Sequence, residues 1–538
     1  MKLPESAIEY GEGGGTVRIY EYNLGIRFQR VVDERSQDIA IWFSEYEAAD
    51  YQTLNKLANR IARLLLGRNI ASGDVVCLSG DKSLDTFACM IACLKIGAVY
   101  CVLDPETPLE RLRKILTTCQ PKLLLADRGF LDRTEAVTRE LGIAAAEKGP
   151  DTLAFEAEKN DDANLRQTRG VTGSNPAYIM FTSGSTGFPK GAVMTHANVL
   201  NLIEWSRETY SITHADVLTN VNPLYFDNSV FDFYAALFNG ARLVPLSKTE
   251  VSDPGVLVKK IDAAGCTLWF SVPSLLIFLQ TMKATDGRNL RSIRRFVFGG
   301  EGYPKAKLKK LYDVYADSSQ FFNVYGPTEC TCICSSYQVT EEDFQDLQGL
   351  PPLGYIAKNY SYLILGEDER AVSAGETGEL CLSGPNVGKG YYNDPERTAA
   401  SFVQNPLNEE FCEVIYRTGD LARFDPQDGK LYIEGRKDNQ IKHMGYRIEL
   451  EEIEAALHCL DYVSEAAALH TSANGLSCIV AVVASAEEFE DERIRRDLGQ
   501  IIPSYMIPSV FHRERVLPKN PNGKVDRRHL AEQYTQAK

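Results

Sequence analysis

Apolar and polar positions along this chain switch period repeatedly. Leu54, Leu57, Ala58, Ile61 and Leu65 recur at helical spacing and predict an amphipathic helix closed by Gly67, a residue suited to the left-handed position after a helix. Val75–Leu78 and 122–126 are short continuous apolar runs and predict buried strands. The most apolar stretch, Phe87 to Leu103, is interrupted by Lys95 and Gly97 and is short for a membrane span. It predicts a buried helix stopping near Gly97 and a strand over 98–104. Buried strands alternating with helical runs predict an α/β architecture with largely parallel sheets. Gly384 to Asp394, rich in glycine and tyrosine, reads as loop, and no internal repeat is visible. After the strand-like Leu431-Tyr432-Ile433, the charged run Gly435 to Asp438 marks a boundary. Leu450, Ile453, Ala456 and Leu457 then begin a helix with glutamates in its first turn, where the helix dipole favours them. The expected division is a large unit over 1–437 and a small α+β unit over 438–538.

Composition narrows the function. The 538 residues correspond to about three to four domain-sized units. The 58 Lys and Arg against 73 Asp and Glu give a net charge of −15, which provides no general attraction for nucleic acid or an anionic membrane. Met1 to Tyr20 has no apolar core of a signal peptide. The 13 cysteines are odd in number and dispersed without C-x-x-C pairs, which predicts reduced thiols and a soluble cytoplasmic protein. Cys330, Cys332 and Cys334 alternate, so on a strand they would share one face. With no flanking ligand pair at zinc spacing, they read as small packing residues.

Four segments carry candidate chemistry. Tyr178 to Gly191 runs from an apolar strand into Thr182-Ser183-Gly184-Ser185-Thr186-Gly187-Phe188-Pro189-Lys190. Glycines admit backbone N–H groups to an anion and hydroxyls donate to phosphate oxygens, so this loop is a phosphate cradle by composition. It does not match the Walker pattern, since Pro189 precedes Lys190 and Gly191 follows it. Asn323-Val324-Tyr325-Gly326-Pro327-Thr328-Glu329 offers an aromatic for stacking on a base, then a hydroxyl and a carboxylate suited to a phosphate and its Mg2+. Tyr416-Arg417-Thr418-Gly419-Asp420 places a carboxylate after a tight turn, as ribose hydroxyls require. Pro521-Asn522-Gly523-Lys524 sets a lysine just past a hairpin signal. Apart from the first, each segment taken alone is a weak signal: 323–329 reads better as a turn with a capping acid, and Lys524 as a solvated lysine on a loop.

In this order the segments, with the Leu94–Asp104 run, F-D-N-S at 226–229 and G-R-K-D-N-Q-I-K at 435–442, resemble the adenylate-forming enzymes: nonribosomal peptide synthetase adenylation domains, acyl-CoA synthetases and luciferases. The resemblance covers almost the whole chain. It implies a large N-terminal domain of α/β subdomains with a β-barrel-like portion and a small mobile C-terminal domain, hinged at Asp438. It implies ATP and Mg2+, a carboxylate attacking the α-phosphorus, and a thiol then attacking the acyl-adenylate. By motif match Thr182, Ser183, Ser185, Thr186 and Lys190, with Gly184 and Gly187, would line the β,γ-phosphates. Tyr325 beside Gly326 would stack on adenine with Asn323 at its edge, Thr328 would lie at the α-phosphate and Glu329 would hold Mg2+. Asp420 would bind the ribose with Arg436 nearby. Lys524 would bridge the attacking carboxylate and the α-phosphate. Rotation about Asp438 would then bring the segment Lys442 to Arg447, with Gly445, to a channel for the thiol arm.

The resemblance also addresses the acid. In amino-acid-activating members the aspartate matching Asp227 pairs with the substrate ammonium, whereas the residue alone reads as an N-cap for the helix that follows. The matched pocket is Asn228, Phe231, Phe270 or Ser271, Val297, Gly299, Gly300, Val324, Cys332 and Ile333. It contains no second charge, so the expected substrate is a compact neutral or mildly polar amino acid. Phe231 is expected to narrow the pocket and Gly299 to open it. The surroundings resemble free-standing D-alanine–carrier and proline–carrier ligases, which differ at Gly299 (cysteine in the former) and at Asn228 (apolar in both). No phosphopantetheine attachment sequence follows Lys524, so a separate carrier protein is implied. Carriers are usually acidic, and the cations from Lys437 to Arg447 are the expected docking patch. The alternatives are a ligase using free coenzyme A and a non-catalytic nucleotide-binding homologue.

Overall fold

The structure, a computed structural model, describes residues 8–10, 16–18, 21–148, 161–184, 188–358, 360–473, 476–485, 490–519 and 525–534. The apolar stretch near residue 90 folds as its pattern predicts. Helix Leu84–Ile96 is capped by Ser83, whose side chain accepts from Thr86 N–H, carries Asp85 in its first turn, and stops at Gly97 with φ +75°. It is buried from Thr86 to Ile96 on every side, as expected of a helix apolar all round. Even Lys95 is enclosed, donating to the side-chain oxygens of Asn55 at 2.5 Å and Asn59 at 2.6 Å. Strand Val99–Leu103 follows directly. Gly67, in contrast, is the last residue of helix Tyr51–Gly67 and not the residue after it. Arg68 N–H still bonds the carbonyls of Leu64 and Leu65, so the left-handed turn falls to Asn69 at φ +61°.

Two α/β sheets make up most of the large unit. A six-stranded sheet has the order Lys190–Thr195, Pro176–Thr182, Val99–Leu103, Val75–Ser79, Leu123–Ala126, Ala144–Glu147. Its strands are parallel except Lys190–Thr195, which turns back on Pro176–Thr182 through the phosphate-cradle loop. A nine-stranded sheet has a parallel centre that includes Val217–Asn220, Leu268–Ser271, Arg295–Gly299 and Gln320–Tyr325. Its antiparallel neighbour Ser335–Val339 begins after Cys334. A five-stranded antiparallel sheet runs from Ser361–Leu365 to Arg436. The alternating cysteines do not share a strand face. Thr331 and Cys332 have φ of +60° and +73°, and this left-handed kink sends Cys332 into one core while Cys330 and Cys334 enter another. No group of ligands that could hold a metal exists among the described residues. Ten of the cysteines are buried, Cys412 and Cys459 are exposed, and Cys478 is intermediate.

From Ile441 onward the side chains form their own cores. The hairpin Gln440–His443/Tyr446–Glu449 and helices Leu450–His458 and Asp491–Leu498 cover one face of the sheet Glu465–Ala473, Leu476–Ala484, Val510–Glu514. Leu517, Val525 and Leu530 cover the other face. This small unit is seated on the large one by three kinds of contact. Tyr446 stacks on Tyr505 with centroids 3.8 Å apart, and both meet Phe226 of the large unit edge-on. Gly445, at φ +82°, lies so close to Val272 that an added Cβ would fall 2.4 Å from its methyl. Arg111, on helix Leu109–Cys119, forms a buried ion pair with Glu452.

Removing one partner of a buried ion pair strands the other charge. Arg111→Ala is therefore expected to cost about 3–5 kcal/mol, seen as a lower denaturant midpoint for the small unit. An unchanged midpoint would show that Glu452 is rehydrated without loss.

Candidate active site

The site forms where strands of both sheets end at their carboxyl edges, the usual position for ligands in α/β sheets. Pro176–Thr182 delivers Thr182 and Ser183, Val217–Asn220 leads to Asp227, and Gln320–Tyr325 leads into Gly326 to Glu329. Thr182, Ser183, Asp227 and Gly326 to Thr328, with Asp420, Arg436 and the hairpin's Lys442 and Arg447, line one cleft.

At the cradle, Thr182 Oγ is buried without a hydrogen-bond partner, as suits a donor kept for an anion. Gly184 is required by its turn, since a Cβ there would lie 2.2 Å from the Phe188 carbonyl. Ser185, Thr186 and Gly187 lie outside the described residues, as does Lys524. Lys190 is nearly buried, with its ammonium 3.8 Å from both Glu329 and Glu449. Burial, aided by the charge of Arg447, lowers its pKa to about 8.

Glu329 is fully buried. One of its oxygens accepts from Tyr391 Oη at 2.7 Å and the other from an Arg447 guanidinium nitrogen at 2.7 Å. Burial alone would raise its pKa, but Arg447 and Lys190 prevail and hold it at about 2. Mg2+ takes oxygen ligands at roughly 2 Å. With both carboxylate oxygens engaged and two cations adjacent, Glu329 does not fit a magnesium ion in this domain orientation.

The nucleotide-type residues are also brought together. Tyr325 Oη donates to Asp420 at 2.5 Å, and Arg436 donates to the other Asp420 oxygen at 2.7 Å while also clasping Asp438. Lys442 lies 4.9 Å from the centre of the Tyr325 ring, and burial lowers its pKa. Asn323 is spent elsewhere, its amide donating to the Pro352 carbonyl at 2.9 Å.

Asp227 precedes helix Asn228–Leu237, but its side chain makes no cap hydrogen bond. Its φ of −62° and ψ of −26° are already helical, so the carboxylate is turned away from the free N–H groups. It faces the cleft and accepts from Thr328 Oγ at 2.6 Å. Burial pushes its pKa up, with the Thr328 hydrogen bond opposing. Beside it, Asn228 and Gly300 (φ +89°) line the cleft, with 3.3 Å between the Asn228 amide nitrogen and a Cβ built on Gly300.

The other matched pocket residues form a packed patch beneath. Phe231, Phe270, Val297, Val324, Cys332 and Ile333 are all buried in one core, with Phe231 edge-on to Phe270 at 4.9 Å. Ser271 is buried, accepting from the Trp269 indole at 2.7 Å. Gly299 does not open a cavity here. Its missing side chain is the space that Val324 fills, with the Val324 carbonyl 2.4 Å from an added Cβ.

The expected docking cations are mostly consumed by the cleft. Lys442 and Arg447 point into it and His443 is buried against Ser477, which leaves Lys437, 54% exposed, and the 56% exposed Met444 outside. Three site residues carry no role in the sequence reading. Tyr391 sits in the stretch that reads only as loop, and Glu301 and Arg111 act through contacts remote in sequence. Glu301 accepts from Ser274 N–H at 2.7 Å and from Gly445 N–H at 3.1 Å, tying the hairpin to the large unit.

Comparison with known proteins supplies the family. A family model described as AMP-binding enzyme matches residues 28–392. Tyrocidine synthase 3 of Brevibacillus parabrevis is 33% identical over 95% of this chain and 8% of its own length. Gramicidin S synthase 1 of Brevibacillus brevis is 31% identical over 94% of this chain and 44% of its own. The chain thus spans less than half the length of these curated relatives. Among solved structures, IdnL1 is 26% identical with a TM-score of 0.78, covering 93% of this chain and 100% of that one. An artificially fused adenylation–PCP di-domain, NpsA-ThdA from Klebsiella oxytoca, is 22% identical with a TM-score of 0.78, covering 92% and 94%, and shares the fold. With a family match over most of its length and a nucleotide-type cleft between a large and a small unit, this chain belongs to the AMP-binding enzymes, the adenylate-forming ligases.

Proposed function

We propose that this chain adenylates a compact neutral or mildly polar amino acid and passes the aminoacyl group to the phosphopantetheine thiol of a separate carrier protein. The observation that carries the amino-acid reading is Asp227. Its carboxylate is free of the helix it precedes, faces the cleft, and accepts a hydrogen bond from a neutral threonine hydroxyl. A carboxylate so placed is stabilised by a cation, which an α-ammonium supplies and a simple fatty or aryl acid does not. The packed patch under Asn228 favours a small side chain, since a large one would have to displace Phe231 or Val324 from the core.

In the first half-reaction the amino acid carboxylate attacks the α-phosphorus of ATP. The bond from the α-phosphorus to the bridging oxygen breaks, and pyrophosphate leaves. Thr182, Ser183 and Lys190 would receive the β,γ-phosphates, Tyr325 the adenine face and Asp420 the ribose. Lys524 would steady the attacking and phosphoryl oxygens, a matter of positioning and charge. In the second half-reaction the thiolate adds to the acyl carbonyl and AMP leaves. We assign this structure to the second step, because the hairpin with Gly445 is seated against Val272 and Glu301. The small unit, taken as 438–538, would turn about Asp438 to reach the first. The adenylation–PCP pairing in the NpsA-ThdA structure supports a carrier as acceptor. No helix among the described residues is long and apolar enough to cross a membrane.

The test is ATP–pyrophosphate exchange across proteinogenic, D- and β-amino acids and plain carboxylic acids. Exchange is expected only with small amino acids, and exchange confined to acids lacking an amine would overturn the reading. Asp227→Ala is expected to lower kcat/KM for the amino acid by about 10²–10³-fold, the equivalent of stranding a buried charge. Unchanged kinetics would remove the anchor. Lys524→Ala is expected to abolish adenylate formation while sparing thioester formation from a supplied aminoacyl-adenylate, and equal loss of both would contradict its assigned role.

A further inference from the structure

Asp420 stands on an irregularity in a sheet. Strands Thr377–Ser383 and Val414–Asp425 pair antiparallel, with Glu379 opposite Leu421 and Cys381 opposite Arg417. Between those pairs Leu380 alone faces Thr418, Gly419 and Asp420, so the longer strand bulges by two residues. A bulge takes residues out of the ladder and re-aims a side chain. Here Asp420 is aimed into the cleft. Backbone groups freed in this way still require partners. Thr418 Oγ donates to the Leu380 carbonyl at 2.6 Å and accepts from Asp420 N–H at 3.0 Å. The Gly419 carbonyl accepts from Lys437 N–H at 2.9 Å. Gly419 N–H, in a residue at φ +72°, falls to a side chain: it donates to Glu379 Oε1 at 3.2 Å. The other Glu379 oxygen accepts from Arg417 Nε at 3.1 Å and Nη2 at 2.8 Å, with the Lys437 ammonium 3.7 Å away. The Glu379 side chain is 7% exposed. Its two oxygens thus fasten the residue before the bulge and the residue at its centre.

We infer that Glu379 is a positioning residue for the nucleotide: it sets the bulge that aims Asp420, and so governs recognition of the ribose hydroxyls. Asp420 has room for them. A carboxylate offers about four lone-pair sites, and Asp420 spends one on Tyr325 Oη and one on Arg436. The remainder can accept two hydroxyls only while the carboxylate keeps its angle. An amide in place of the Glu379 carboxylate cannot serve both neighbours. It turns its NH2 either to Gly419 N–H or to the Arg417 guanidinium, and donor then meets donor. The inference rests on the assignment of Asp420 to the ribose and is independent of which acid is activated.

Calorimetric binding of AMP, and of its dideoxy analogue lacking both ribose hydroxyls, to the full chain tests it without turnover. Wild type is expected to bind AMP about tenfold more tightly or better, since hydrogen bonds to a charged group are at stake. Glu379→Gln is expected to weaken AMP by about tenfold, toward the level of the analogue, and to leave the affinity for the analogue at its wild-type value. A merely structural role would weaken both nucleotides alike, and that result would overturn the inference. In an Asp420→Ala background the acceptor is already gone, so adding Glu379→Gln should weaken AMP no further; additive losses would contradict action through Asp420. Should Glu379→Gln not fold, Glu379→Asp stands in. It keeps its charge beside Arg417 but is one methylene too short to reach Gly419 as well, and the same loss of preference for AMP is expected. A wild-type protein indifferent to the hydroxyls would remove the ribose assignment and this inference with it. A wild-type preference for AMP that survives the substitutions would remove this inference alone.

Discussion

An ionised carboxylate enclosed in protein must find positive charge nearby or take up a proton. Glu329 is enclosed completely, and its negative charge organises what surrounds it. Lys190 is drawn in from the strand that leaves the cradle, Tyr391 from a loop of the large unit and Arg447 from the small unit. Remove that charge and three segments distant in sequence lose their reason to meet. The relative placement of the two units therefore depends on electrostatics as well as on the aromatic contact of Phe226 with Tyr446 and Tyr505. Apolar contact supplies area; the carboxylate supplies register.

Legibility follows the range of the interaction. Local signals are legible: the buried helix ending at Gly97, the strand after it, and the helix opening at Leu450 are all present. Spacing fails where one or two backbone angles break the period. The left-handed Thr331 and Cys332 turn an apparent strand into a kink, and one further backbone bond moves a helix end past Gly67. Nothing in the composition of those residues announces such angles. The cleft is legible because its residues lie in ordered motifs. Tyr391, Glu301 and Arg111 are not, because each acts on a partner far away in the chain and none carries a local pattern.

The specificity region shows the same limit. A glycine in the sequence reads as space, yet at Gly299 the neighbouring strand's Val324 occupies that space. Cations in sequence read as surface, yet Lys442 and Arg447 are turned inward by the hairpin that carries them. In both cases the backbone decides which side of an element meets solvent, and the sequence alone leaves that side open.

The distribution of thiols has a practical meaning. With ten cysteines enclosed and Cys412 and Cys459 exposed on opposite sides of Asp438 in the sequence, maleimide chemistry meets one exposed cysteine on each unit. A donor and an acceptor dye can thus be attached without introducing new cysteines, and only the half-accessible Cys478 has to be silenced.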